Sequence, residues 1–205
     1  MENENQDRYL TVSSRPVSAE LKVKGSKFIG HVFHVLNKHQ AETVYNNIRR
    51  KYHDATHNCF AYRISPDEYR YSDDGEPSGT GGRPIYQILE KMGLVQTIVI
   101  VTRYFGGIKL GTGGLSHAYS ESATQVLNKT KIETKTTYQT LTIETSYEML
   151  SHLLEILNKF QGLIGKTEYS DKITYCVQIP LSKCASFIAT TEAFSQRGIK
   201  IIDDH

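Results

Sequence analysis

The sequence has no tryptophan and only three cysteines, Cys59, Cys176 and Cys184, in 205 residues. No two of them form a CxxC pair, which excludes a paired-cysteine zinc site and a disulfide framework. Reduced thiols and a cytoplasmic location are expected. No apolar run approaches the roughly 18 residues that a membrane-spanning helix needs; the longest, within VQTIVIVT at 95–102, is strand-length. The start, MENENQDRYL, lacks the basic, apolar and cleavage regions of a secretory leader, so no membrane partner is expected. Charge of one sign is missing too. Lys and Arg number 24 against 22 Asp and Glu, and the split is 17 against 14 through residue 134 and 7 against 8 thereafter. That excludes a uniformly basic nucleic-acid-packaging surface and leaves only a local patch for any RNA contact. Neither the phosphate-loop pattern G-x-x-x-x-G-K-[ST] nor the dinucleotide fingerprint G-x-G-x-x-G occurs, so nucleotide hydrolysis and dinucleotide binding are set aside.

What remains is an ordinary globular composition, 39% hydrophobic and 22% charged, at a length that suits one large or two small domains. Glycine is unevenly spread: ten of the 15 lie between Gly75 and Gly114. Before that window, residues 18–35 read as a hairpin turning at KGSK, and 38–52 as a helix with Asn37 and Gln40 as a capping box. Residues 57–64 and 68–72 suit a strand pair, 84–92 a short helix, 95–102 a buried strand and 115–127 a helix. After a polar stretch, KIETKTT, the order changes to strand 137–144, helix 146–160, strands 164–169 and 173–179, helix 182–196 and strand 199–202. This βαββαβ order is that of a ferredoxin-like domain. The expected class is therefore α+β with two domains, residues 1–134 and 135–205, divided near Lys135.

Three segments carry residues with chemistry. In YSDDGEPSGTGG, Asp73, Asp74 and Glu76 crowd three carboxylates into four positions. Like charges this close need compensation from a metal such as Mg²⁺, from backbone amides, or from Arg83, Arg103 or Lys109. In RYFGGIKLGTGGLSHAY, a glycine-rich turn follows a buried strand and opens a helix. Amides at a helix N-terminus attract anions, and Gly106, Gly107, Gly111, Gly113 and Gly114 allow close approach beside Arg103 and Lys109. In KYHDATHNC, His53, His57 and Cys59 are candidate zinc ligands, with Asp54 as an alternative, but an extended strand would not gather them, and Cys59 beside Phe60 suits the core.

SDDGEPSGTGGRPI followed by VTRYFGGIKLGTGGL resembles the IMPACT family, in its bacterial YigZ type, and KGSKFIGHV and DATHNCFAYRI extend the likeness over residues 16–128. Residues 138–201 resemble the small C-terminal domain of its bacterial members. The resemblance implies an N-terminal domain folded like the second domain of a small-subunit ribosomal protein. It also implies a C-terminal domain like the ferredoxin-like domains of elongation factor G. Both analogues act on ribosomes or RNA. His117 stands where the family's GGL-x-R-A-Y pattern has arginine. A neutral imidazole there would weaken a phosphate site near pH 7.

The leading expectation is a regulatory binding protein that contacts RNA or the ribosome in translation. Its candidate phosphate site comprises Arg103, Tyr104, Gly106, Gly107, Lys109, Gly111, Gly113, Gly114 and His117, with Tyr104 or Phe105 available to stack on a base. No catalytic residue, cofactor or metal is assigned. The competing expectations are a hydrolase built on Asp73, Asp74 and Glu76, and a protein-binding module in starvation signalling.

Overall fold

The computed structural model describes residues 7–204. The chain divides into two compact units, residues 9–135 and residues 136–205 together with the segment ending at Arg8.

In the first unit, β2 (Val17–Val23) and β3 (Ser26–His34) form a hairpin whose turn residues Lys24 and Gly25 both have positive φ, as a tight two-residue turn requires. Helix α1 (Lys38–Lys51) follows, then β4 (His57–Arg63), β5 (Tyr69–Ser72), α2 (Gly82–Lys91), β6 (Thr97–Tyr104) and α3 (Gly111–Asn128). The five-stranded sheet has the order β2-β3-β6-β4-β5, and its strands pair antiparallel. Helices α2 and α3 cover one face, packing Ile85, Leu89, Tyr119 and Ala123 against Phe28, Cys59, Val99 and Val101. Helix α1 covers the other face over Phe60, Tyr62, Ile98 and Ile100. Central strand β6 is thus buried on both sides, which is why its sequence is an unbroken apolar run rather than an alternating one.

The helix starts differ from the sequence reading. Asn37 caps α1 by accepting the Gln40 N–H at 2.9 Å, but the Gln40 side chain reaches back to the Leu36 N–H instead of closing on Asn37 itself. Helix α2 begins at Gly82 rather than 84, and α3 at Gly111 rather than 115. Low glycine propensity argued for loop at both places; the first helical turn tolerates it. Two further strands carry no signal in the sequence. β1 (Arg8–Val12) and β7 (Ile132–Thr136) pair as a two-stranded sheet, and β7 occupies the polar stretch read as a connector.

The second unit runs β8 (Tyr138–Thr145), α4 (Leu150–Lys159), β9 (Leu163–Tyr169), β10 (Ile173–Pro180), α5 (Cys184–Glu192) and β11 (Ile199–Asp204). The sheet order β11-β8-β10-β9 with βαββαβ connectivity is ferredoxin-like. Leu141, Ile143, Val177 and Ile179 of the sheet pack on Leu153, Leu157 and Phe187 of the helices. The single helix expected over 182–196 is α5 flanked by short 3₁₀ turns at Leu181–Lys183 and Ser195–Arg197, with Gly198 left-handed at its end.

Candidate functional site

The three neighbouring carboxylates do not act as a cluster. Asp73 turns into its own loop: Oδ2 accepts the Gly79 N–H at 2.8 Å, and Oδ1 accepts the N–H groups of Gly81 and Gly82 at 2.9 and 2.8 Å. It therefore caps α2 from ten residues upstream of Arg83, with backbone amides as the compensating charge. The glycines are needed for this closeness: a Cβ on Gly82 would lie 2.5 Å from the Ser72 carbonyl oxygen. Asp74 sits left-handed at φ 44° and binds β4, accepting the Asn58 N–H at 2.7 Å, while its carbonyl is 2.8 Å from His57 Nδ1. Its Oδ1 also accepts from Tyr45, whose hydroxyl is pushed up to about 12 by burial and then by that carboxylate.

Only Glu76 turns inward. Its side chain is 2% exposed, and Oε1 accepts from Arg103 Nη1 at 2.6 Å and from the Tyr119 hydroxyl at 2.8 Å. Burial, with Cys59 and Glu76 adding to it, pushes the Tyr119 hydroxyl far above its ordinary range, so it stays a donor. Oε2 faces His57 Nε2 at 3.9 Å. Among the described residues no group of three or more His, Cys, Asp or Glu side chains is placed to hold a metal ion. His53, His57 and Cys59 are likewise not gathered: Cys59 is buried, its thiol donates to the Asp73 carbonyl at 3.0 Å, and burial pushes its pKa up. That makes it a core residue, not a nucleophile.

Glu76 and Arg103 lie in a cleft of about 440 Å³ with His57, Phe105, Lys109 and Gly111. Arg103 is 5% exposed. Of its three guanidinium nitrogens only Nη1 has a partner among the described residues, and Nε is buried without one. Its guanidinium lies 5.6 Å from the ring centres of Phe28 and Phe105, and Phe105 itself is 47% exposed. Helix α3 opens at the same cleft. Its start has no side-chain cap and no acidic residue in the first turn, and a Cβ on Gly111 or Gly113 would meet nothing within 4 Å. The first-turn amides are therefore bare, with the positive end of an 18-residue helix behind them.

Of the residues singled out in the sequence, Glu76, Arg103, Phe105, Lys109 and Gly111 line this cleft, while Gly113 and Gly114 belong to the first turn of α3. The others lie elsewhere. Tyr104 projects from the opposite face of β6, its hydroxyl donating to Asp54 at 2.9 Å. Gly106 is architectural: a Cβ there would sit 1.9 Å from the Gly25 carbonyl carbon of the hairpin turn. Gly107 takes a φ of 86° in the connection to α3. His117 is not among the cleft residues; its side chain is 80% exposed and lies 3.7 Å from Glu121 one helical turn on. Thr56, His57, Pro77, Leu110, Thr112 and Leu115 also line the cleft and were not singled out as its members. Helical spacing from Gly111 would have pointed to Leu115; nothing local in the sequence points to Thr56 or Pro77.

Residues 24–127 match the family described as the Impact N-terminal domain. "IMPACT family member YigZ" of Escherichia coli is 31% identical over 93% of this chain and 96% of its own. "IMPACT family member YvyE" of Bacillus subtilis is 35% identical over 76% of this chain and 73% of its own. A solved structure described as a hypothetical protein superposes with a TM-score of 0.69 at 30% identity, covering 96% of this chain and 97% of that one. By domain match, full-length identity and shared fold, the chain belongs to the IMPACT family.

Proposed function

We propose that this protein is a cytoplasmic regulatory binding protein that contacts RNA in translation, and that it holds the RNA through phosphate in the cleft at the start of α3. One observation carries the reading: a buried arginine, held through Nη1 by Glu76 and with Nε unpartnered among the described residues, lines the cleft in which an uncapped helix begins. A fixed positive group and free amides aimed at one space are the elements of an anion site. Lys109 adds an exposed charge, and Phe105 offers an exposed ring on which a base stacks. A hydrolase built on the three carboxylates is not supported, because Asp73 and Asp74 are engaged by backbone amides and only Glu76 reaches the cleft.

Co-sedimentation with ribosomes and anisotropy with ribosomal RNA fragments test the reading. Binding is expected at low salt, falling steeply as salt rises because condensed counterions are released on association. No binding to either at low salt would overturn it.

A further inference from the structure

We infer that the cleft receives a phosphomonoester at the end of an RNA strand rather than a phosphodiester within it; this rests on the RNA reading above. Arg103 shows only 5% of its surface, so whatever meets its guanidinium must enter a concavity. An internal phosphodiester has chain leaving it on both sides and suits exposed, flexible cations along an open groove. A terminal phosphate is attached on one side only and can enter phosphate first. It carries three unesterified oxygens and a charge near −2 at neutral pH. Three separate donor sources line the cleft: the Arg103 guanidinium, the first-turn amides at Gly111 and Thr112, and the Lys109 ammonium. Glu76 also lines the cleft and fixes the guanidinium through Nη1, its side chain 2% exposed against 6% for Arg103. It acts as a positioning residue for Arg103. The volume of about 440 Å³ is of the size of small-ligand clefts and is large enough for a terminal nucleotide. Phe105 stands beside Arg103 for the terminal base.

The test uses the full chain and three versions of one labelled decaribonucleotide: 5′-phosphate, 3′-phosphate and hydroxyl at both ends. Anisotropy titration at fixed salt is expected to show one phosphorylated form binding about tenfold or more tightly than the hydroxyl form. Which form it is identifies the end. A nucleoside monophosphate of the matching type is expected to remove that advantage by competition. Arg103→Lys, which keeps the charge but not the guanidinium edge, is expected to abolish the preference. Lys109→Ala, an exposed change that does not threaten folding, is expected to reduce it. Equal affinity for all three oligonucleotides would overturn end recognition while leaving RNA binding intact. Failure of all three to bind would sink the RNA reading with it.

Discussion

Glu76 and Arg103 form a buried ion pair, and removing one partner leaves an uncompensated charge in the interior. Glu76→Leu is expected to cost about 3–5 kcal/mol in urea unfolding. The triple variant Glu76→Leu, Arg103→Met, Tyr119→Phe leaves neither a lone charge nor an orphaned hydroxyl, so it is expected to recover most of that stability and yet not bind RNA. A triple variant as unstable as the single one would show the polar trio to be irreplaceable architecture. His31 gives a second residue-scale expectation. It is 2% exposed, Ser18 Oγ meets Nδ1 at 2.8 Å, and Nε2 has no partner among the described residues. Burial, and then Lys51, holds its pKa down at about 4 against an ordinary 6.5. Above pH 6.5 the ring is neutral folded or unfolded and contributes nothing to pH dependence. As pH falls from 6.5 towards 4, the unfolded chain takes up the proton first, and stability drops by up to about 3 kcal/mol. Unfolding across that window is expected to show a shallower decline for His31→Phe than for the wild type; parallel declines would contradict it.

Elements with strong local signals were readable in the sequence. The β2–β3 turn followed from Lys24-Gly25, the α1 start from Asn37, and strand β6 from its apolar run. Strands β1 and β7 were not, because each is only five residues long, neither shows a regular alternation of buried and exposed residues, and β7 is polar throughout but for Ile132. The site was half legible. Arg103 is one of the cations the sequence offers as a partner for the carboxylates, and it meets Glu76. It did not show that Asp73 is a long-range helix cap, because the Gly79–Gly82 amides reach it only through loop closure. His117 was drawn in by its nearness in sequence to the glycines, yet it follows Gly111 by more than a turn and faces solvent. Gly106 illustrates the converse. Its glycine is required by contact with Gly25, so Gly106→Ala is expected to destabilise the first unit by about 1–3 kcal/mol or more through forced separation of the hairpin turn from the β6–α3 connection. A thermal melt unchanged from wild type would refute that packing.

At the scale of the molecule, each unit has its own core, and every residue of the proposed site lies in the first. We propose that residues 136–205 form a separate domain. Phe187→Ala, in the middle of its core, is expected to destabilise that unit by about 3–5 kcal/mol while RNA affinity below its melting temperature stays as it was. The most direct measurement of the central claim is the salt dependence of RNA affinity for the wild type, for Lys109→Ala at the cleft, and for Lys183→Ala in the second unit as a control. If phosphate is held at the start of α3, the slope of log affinity against log salt becomes shallower in Lys109→Ala by about 0.7, one phosphate's worth for a single strand, and is unchanged in Lys183→Ala. Equal slopes for the wild type and Lys109→Ala, or a loss confined to Lys183→Ala, would contradict the assignment of this cleft as the RNA site.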